Sequence, residues 1–103
     1  MAAYIVFTRL HTRNQSELDA YKKQAPVFLA GYPIKSLANF GRCEVLEGPG
    51  VEGVAILEFP TVAEAKAWYE SPAYQEACLH RFRGGDYSAI IVEGAKPAAT
   101  NQE

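Results

Sequence analysis

The sequence has 103 residues, of which 49% are hydrophobic and 21% charged, and its ten basic and twelve acidic side chains give a net charge of −2. That length predicts one domain with one core, and the apolar content excludes a chain held open by charge. The charge balance argues against a nucleic-acid binder, which needs clustered Lys and Arg. No apolar run approaches the ~20 residues of a membrane-spanning helix.

The two cysteines, Cys43 and Cys78, are too few for the disulfide framework of a small secreted domain. The first residues lack the basic region that precedes the apolar stretch of a signal peptide. We therefore expect reduced thiols and a cytoplasmic protein.

The first half of the chain predicts a strand, a helix and a second strand. Residues 3–10 are rich in aromatic and β-branched side chains, which are typical of a strand. Apolar residues then recur at helical spacing from residue 17 to about residue 30, and Pro26 is expected to kink or shorten this helix. Residues 34–47 alternate around Gly41, which favours one long strand with a glycine-marked bulge or bend.

The second half begins with a third strand and a helix. Residues 53–59 form the predicted strand, and Pro60 ends it. Thr61 and Glu64 have the spacing of a capping box, so a helix should begin there and continue through Trp68.

A second helix start, Ser71-Pro72, follows shortly afterwards. Ser is a preferred N-cap, and proline fits the first turn, where its missing N–H costs nothing. Gly84-Gly85 should end this helix, residues 87–93 should form the last strand, and residues 95–103 should be a flexible tail. The expected buried stripe of the helix consists of Tyr74, Cys78 and Phe82.

The predicted order of elements is β-α-β-β-α-β, the ferredoxin-like arrangement of the α+β class. In it, the helices pack on one face of a four-stranded antiparallel sheet, and we expect residues 1–94 to form this domain. A sheet with one wet face should alternate apolar and polar residues, but the predicted strands are apolar on both faces. We therefore expect a homodimer packed sheet to sheet, since the same sheet of a second chain would cover the second face. The two faces of the first strand carry Ala3, Ile5 and Phe7 against Tyr4, Val6 and Leu10.

Short motifs spread along the chain are similar to those of a known family. They are Ala20-Tyr21 followed by Ala25-Pro26, residues 41–48, residues 56–60, residues 65–75 and Val92-Glu93-Gly94. They resemble the domain-of-unknown-function family thirteen-thirty over about residues 3–94, and the tryptophan-to-tyrosine stretch within residues 65–75 is the most specific part. Residues 80–83 match a family arginine at Arg81, so the resemblance gives no role to the other basic residues there.

The resemblance implies a dimeric α/β barrel, in which two ferredoxin-like subunits press sheet to sheet. It assigns no reaction to the chain. Relatives in the wider superfamily include cofactor-free monooxygenases, dehalogenating, decarboxylating and heme-degrading enzymes, and stress-response proteins. Because one fold supports this range of activities, function has to be argued from side chains.

Arg42 and Glu44 stand two residues apart in the second predicted strand, so both side chains should leave the same face. In one interpretation, Arg42 presents a fixed guanidinium to a small carboxylate, and Glu44 orients it. In the other, the two residues form a structural ion pair at the rim of the sheet.

Glu58 and His80 are the candidate catalytic residues. Glu58 interrupts an apolar strand, where a desolvated carboxylate would suit a general base or would pair with Arg9 or Arg42. His80 and Arg81 fall near the end of a helix, where positive charge interacts favourably with the last carbonyls. Their alternative role is an anion clamp or a proton shuttle at the mouth of a cleft.

Trp68, Tyr69 and Tyr74 form an aromatic group at the break between the two late helices. Their helical spacing favours the core, but a buried tyrosine hydroxyl needs a partner, so one of them would also fit a ligand pocket. Cys78 and His80 project about 200° apart on a helix and are a poor metal pair. We therefore expect neither a metal nor another cofactor.

Together these residues predict a small-molecule-binding protein or a cofactor-free enzyme. Its ligand or substrate would be a small carboxylate or carbonyl compound, held in a pocket between the sheet and the helices. The alternative is a non-catalytic accessory or stress-related homodimeric binding protein. The candidate ligand-binding residues are Arg42, Trp68, Tyr74 and Arg81, and the candidate catalytic residues are Glu58 and His80.

Overall fold

The computed structural model describes residues 1–96 and places them in a four-stranded antiparallel sheet covered by helices. The elements in chain order are β1 (Ala3–Thr12), α1 (Gln15–Lys23), α2 (Ala25–Leu29), β2 (Lys35–Asn39), β3 (Gly53–Phe59), α3 (Val62–Tyr69), α4 (Pro72–Gly84) and β4 (Gly85–Glu93). In the sheet their order is β2-β3-β1-β4, with every neighbouring pair antiparallel. This confirms the predicted α+β, ferredoxin-like topology. Of the predicted tail, residues 97–103 lie outside the described part of the chain.

The helix starts follow the predicted capping signals. At the start of α3, the Thr61 hydroxyl accepts a hydrogen bond from the Glu64 backbone N–H at 3.0 Å. At the start of α4, Ser71 Oγ accepts from the Tyr74 N–H at 3.3 Å. The predicted first helix is divided into α1 and α2, and Pro26 stands in the first turn of α2, where it fits.

The second strand is much shorter than predicted. β2 ends at Asn39, because Phe40 has a φ of 58°, in the left-handed region, and the chain turns out of the sheet there. The Phe40 ring lies over Gly53, where a β-carbon would come within 2.9 Å of it. Residues 41–47, predicted to continue the strand, have no neighbouring strand in the described chain, so that prediction is wrong.

Helix α4 buries a different stripe from the predicted one. Tyr74 and Cys78 are fully buried, but Phe82 is 50% exposed, and Arg81 is buried in its place. Seven residues along an α-helix return to within about 20° of the starting direction, whereas eight pass it by about 80°. Arg81 therefore points to the same side as Tyr74, and the predicted burial of Phe82 is wrong.

Both faces of the sheet are apolar, as predicted. Toward the helices, Ile5 and Phe7 of β1 belong to the core. On the outer face, Val6 of β1 lies between Ile56 of β3 and Ile90 of β4, in one row across the sheet. Ile90 is exposed, so the apolar outer face extends to the solvent. Within residues 1–96, every helix falls short of the length and apolarity needed to cross a membrane.

Gly84→Ala is expected to destabilise the fold, because Leu18 of α1 packs directly on this glycine of α4. A β-carbon at Gly84 would lie 2.5 Å from Leu18 Cδ2 and 3.1 Å from the Leu18 backbone nitrogen. We expect the free energy of unfolding to fall by about 1–3 kcal/mol, measured by urea denaturation. Gly50→Ala is the control, since a β-carbon there meets no atom within 4 Å. Equal stabilities of the two variants would contradict this packing.

Candidate functional site

A cavity of about 430 Å³ lies between helices α1 and α2 and the sheet. Its volume is in the range of roughly 300–1,000 Å³ that is usual for small-molecule sites. Two arginines contribute to it, Arg9 from β1 and Arg81 from α4. A second depression beside β4, of about 190 Å³, has no charged side chain in its lining. The apolar wall of the larger cavity includes Phe7, Phe28, Phe40, Leu57 and Trp68.

Arg81 brings a charge into the cavity wall that no carboxylate of the described chain balances. The residue is 3% exposed, and its Nε donates to the Tyr74 hydroxyl at 3.2 Å. Its guanidinium carbon lies 5.1 Å from the ring centre of Phe7 and 5.0 Å from that of Tyr87. Aromatic faces attract a cation, but a buried charge without a counterion remains costly. The arrangement therefore favours an anion as a further partner.

Two tyrosines connect Arg81 to helix α1. The Tyr74 hydroxyl, which accepts the Arg81 hydrogen bond, lies 2.9 Å from the Tyr21 hydroxyl, and Tyr21 lines the cavity. Burial raises the pKa of Tyr74 to about 12 and raises the pKa of Tyr21 well above its ordinary value. Both hydroxyls are therefore neutral near pH 7, and each has one proton to donate.

Two charged groups that line the cavity, Arg9 and Asp19, are hydrogen-bonded to other residues. Arg9 Nε donates to Glu52 at 3.2 Å. The side chain and the backbone of Thr12 also donate to Glu52, and these bonds lower the pKa of its carboxyl. Asp19 accepts from a neighbouring glutamine of α1 at 3.1 Å. Arg81 therefore differs from Arg9, because Arg9 already has a carboxylate partner.

The structure brings three of the predicted site residues together at the cavity. Trp68 and Arg81 line it, and Tyr74 is joined to Arg81 by a hydrogen bond. Trp68 Nε1 donates to the Phe28 carbonyl oxygen at 2.7 Å, which fixes the indole in the wall. The Trp68 ring also lies against Tyr74, with ring centres 4.2 Å apart.

Arg42 lies away from the cavity. It follows Phe40 in the segment that leaves the sheet, and its side chain is 86% exposed. Arg42 donates to Glu44, so the two residues form an ion pair. The strand that was expected to hold the pair is absent there, and the guanidinium is not presented to the cavity.

Glu58 lies on the outer face of β3, on the side of the sheet away from the cavity. It accepts a hydrogen bond from the Tyr4 hydroxyl at 3.4 Å. The predicted salt bridge with Arg9 or Arg42 is wrong, since each of these arginines binds another carboxylate. The physical reason for Arg9 is strand alternation: Arg9 points toward the helices, whereas Glu58 points outward.

His80 links two helices and does not line the cavity. Its Nδ1 lies 2.6 Å from Glu17 Oε1, which ties α4 to α1. The guanidinium of Arg13 donates to the carbonyl oxygens of Phe82 and Arg83 in the last turn of α4, and to that of Gly85 just after it. Of the two residues predicted near this helix end, Arg81 lies in the last turn of α4, whereas His80 precedes that turn and pairs with Glu17 of α1.

Tyr21 and Arg9 line the cavity and are not among the site residues predicted from the sequence. For Arg9 the sequence does contain a signal, namely strand alternation in β1. Arg9 is two residues from Phe7 and therefore lies on the same, helix-facing side. Tyr21 was an apolar position of α1, and no local pattern marks where its hydroxyl goes. Within residues 1–96, no three His, Cys, Asp or Glu side chains come together as a metal site requires.

Comparison with known proteins gives a family and a fold. A family model described as "Domain of unknown function (DUF1330)" matches residues 2–95. No curated protein matches the sequence at a significant level.

Several solved structures share the fold. A protein of unknown function from Rhodopseudomonas palustris has a TM-score of 0.72 and 22% identity, covering 93% of this chain and 84% of its own. A dimeric ferredoxin-like protein of unknown function from Jannaschia sp. CCS1 has a TM-score of 0.68 and 12% identity, covering 91% and 100%. SnoaB, a cofactor-independent oxygenase from Streptomyces nogalater, has a TM-score of 0.61 and 11% identity, covering 93% and 95%. At these identities the likeness establishes the fold alone.

Proposed function

Because the chain belongs to the DUF1330 family, a family of unknown function, we propose its function from the cavity. The protein binds a small organic anion, in the first instance a carboxylate, between the helices and the sheet. The observation that carries this proposal is the Arg81 guanidinium, which is buried in the cavity wall and has no carboxylate partner in the described chain. An anionic ligand would supply that partner.

The free part of the Arg81 side chain suits a carboxylate. Nε is used by Tyr74, and within the described chain the two Nη groups have no hydrogen-bond acceptor. An arginine binds a carboxylate through two parallel hydrogen bonds, and such charge-assisted bonds are stronger than neutral ones. Phe7 and Trp68 would contact the apolar part of the ligand. Aromatic and branched carboxylates therefore fit this site.

The proposal is restricted to binding. The two predicted catalytic residues, Glu58 and His80, lie outside the cavity, and the cavity's own carboxylate, Asp19, is exposed. SnoaB, which shares this fold, is a cofactor-independent oxygenase. Oxygenase activity is therefore the reaction to test on any ligand that binds. A non-catalytic binding protein accounts for the same side chains.

Arg81→Met is expected to weaken carboxylate binding by about tenfold or more, because it removes two charge-assisted hydrogen bonds while keeping the apolar stem. The probes are benzoate, 3-phenylpropionate and phenylpyruvate, measured by isothermal titration calorimetry. Arg81→Lys should also weaken binding, since lysine keeps the charge but loses the planar pair of donors. Arg83→Met, an exposed position on the same helix, is the control.

Two outcomes would count against carboxylate binding. One is equal affinity of the wild-type protein and Arg81→Met for a probe that binds. The other is the failure of all three carboxylates to bind the wild-type protein any better than benzamide, the neutral counterpart of benzoate. Thermal melting of each variant without ligand shows whether the fold is intact.

The apolar outer face supports a homodimer packed sheet to sheet. Val6, Ile56 and Ile90 form a row across the three strands β3, β1 and β4, and the large exposed side chains include Ile90 and Val92. Exposed apolar surface of this kind is typical of an interface between protein chains. The Jannaschia protein with this fold is itself dimeric, which supports the same assembly here.

A further inference from the structure

The hydrogen-bond chain from Arg81 through Tyr74 to Tyr21 has a direction. We infer that the Tyr21 hydroxyl is a second donor to the bound anion and that Tyr74 is the positioning residue that aims it. This inference rests on the proposed carboxylate binding by Arg81. It adds a class of ligand: a carboxylic acid with a second oxygen acceptor next to the carboxylate, the 2-oxo acids being the simplest case.

The direction follows from counting protons. Arg81 Nε can only donate, so the Tyr74 oxygen is an acceptor in the 3.2 Å bond between them. Tyr74 is fully buried, and in the described chain the Tyr21 oxygen, 2.9 Å away, is the acceptor available for its proton. A buried hydroxyl proton without an acceptor is costly, so Tyr74 donates to Tyr21. Tyr21 then accepts that bond and keeps its own proton for another partner.

Tyr21, whose hydroxyl proton is left for another partner, is a residue of the cavity wall. Tyr21 and Arg81 both line the cavity, and Tyr74 is the single hydroxyl between them. The Tyr21 oxygen is thus two hydrogen bonds away from Arg81 Nε. Burial raises the pKa of Tyr21, which keeps its hydroxyl protonated and therefore a donor at physiological pH. The cavity accordingly offers a guanidinium and a neutral O–H donor side by side.

The two donors define what the ligand must carry. A carboxylate that binds the two Nη groups of Arg81 uses one lone pair of each oxygen in that pair of bonds. An oxygen on the neighbouring carbon lies beside that pair of bonds and offers the Tyr21 proton a neutral acceptor of its own. A 2-oxo acid has such an oxygen, whereas a plain carboxylic acid of the same shape does not.

The test compares two probes that differ in this oxygen, phenylpyruvate and 3-phenylpropionate. We expect the wild-type protein to bind phenylpyruvate more tightly by roughly threefold to tenfold, the contribution of one hydrogen bond. Tyr21→Phe should bring the ratio of the two affinities close to one. Tyr74→Phe should reduce the preference, because Tyr21 loses the bond that directs its proton. Tyr69→Phe is the control, since its ring lies 5.3 Å from that of Tyr74 outside the chain of hydroxyls.

The ratio of two affinities in one protein does not depend on how stable a variant is. A wild-type ratio near one, with binding of both probes lost in Arg81→Met, would overturn the role of Tyr21 and leave the carboxylate site standing. A preference that survives in Tyr21→Phe would also overturn it. If neither probe binds in an Arg81-dependent way, the proposed function fails, and the inference about Tyr21 fails with it.

Discussion

Trp68→Ala is expected to lower the free energy of unfolding by about 3–5 kcal/mol, a large part of the roughly 5–15 kcal/mol that stabilises a typical domain. Trp68 is fully buried, and its ring contacts Phe59 and Tyr74 with centres 5.6 and 4.2 Å away. Alanine would leave a cavity among these rings. It would also leave the Phe28 carbonyl without its hydrogen bond from the indole.

The measurement is urea unfolding followed by circular dichroism, since Trp68 is the single tryptophan and its fluorescence is lost in the variant. Trp68→Phe should cost less than alanine, because it fills part of the cavity and loses mainly the hydrogen bond to Phe28. Phe82→Ala is the matched aromatic control at a half-exposed position of α4 and should have a much smaller effect. A Trp68→Ala protein as stable as Phe82→Ala would contradict the placement of Trp68 at the centre of the core.

The order of the elements could be predicted from the sequence because it depends on local signals. The caps Thr61 and Ser71 and the helix-shortening Pro26 act on their own turns of chain, and each does so in the structure. The end of β2 could not be predicted, because it depends on a contact between distant residues. Phe40 adopts a left-handed backbone and places its ring over Gly53, and alternation in residues 41–47 gives no sign of this.

The candidate site shows the same division between local and distant information. Arg81 was a candidate from the sequence, and the helical period places it beside Tyr74. Its connection to Tyr21 could not be predicted, because the hydroxyls meet only when α1 packs on α4. The prediction for Arg42 depends on a charged residue being costly in an apolar strand, and that reason does not apply because the strand ends before it.

The role predicted for Glu58 depends on which face of the sheet the helices cover. The sequence shows that both faces are apolar but does not show which face the helices cover. From the sequence alone, a position of Glu58 in a pocket and a position in an interface are therefore equally consistent. In the structure it shares the outer face with Tyr4, to which it is hydrogen-bonded. A carboxylate on this face would lie within or beside the proposed dimer contact.

Ile90→Asp is expected to convert the proposed homodimer into a monomer. Ile90 is 58% exposed in the single chain and continues the row of Val6 and Ile56 on the outer face. In a sheet-to-sheet dimer the aspartate would have to be buried without a partner, at a cost of about 3 kcal/mol or more. One such aspartate already corresponds to roughly a hundredfold increase in the dissociation constant, and the symmetric dimer contains two. Sedimentation velocity at micromolar concentrations measures the change.

Leu79→Asp is the matched control for this experiment. Leu79 is 46% exposed on α4, so the same apolar-to-acidic change is made on the helical layer instead of the outer face of the sheet. Leu79→Asp should remain dimeric, because helices cover the sheet face on that side and the proposed contact lies on the other. The sheet-to-sheet assembly would be contradicted by a wild-type protein that is monomeric at these concentrations. It would be contradicted as well if Ile90→Asp stayed dimeric while Leu79→Asp dissociated, since the contact would then lie on the helical layer.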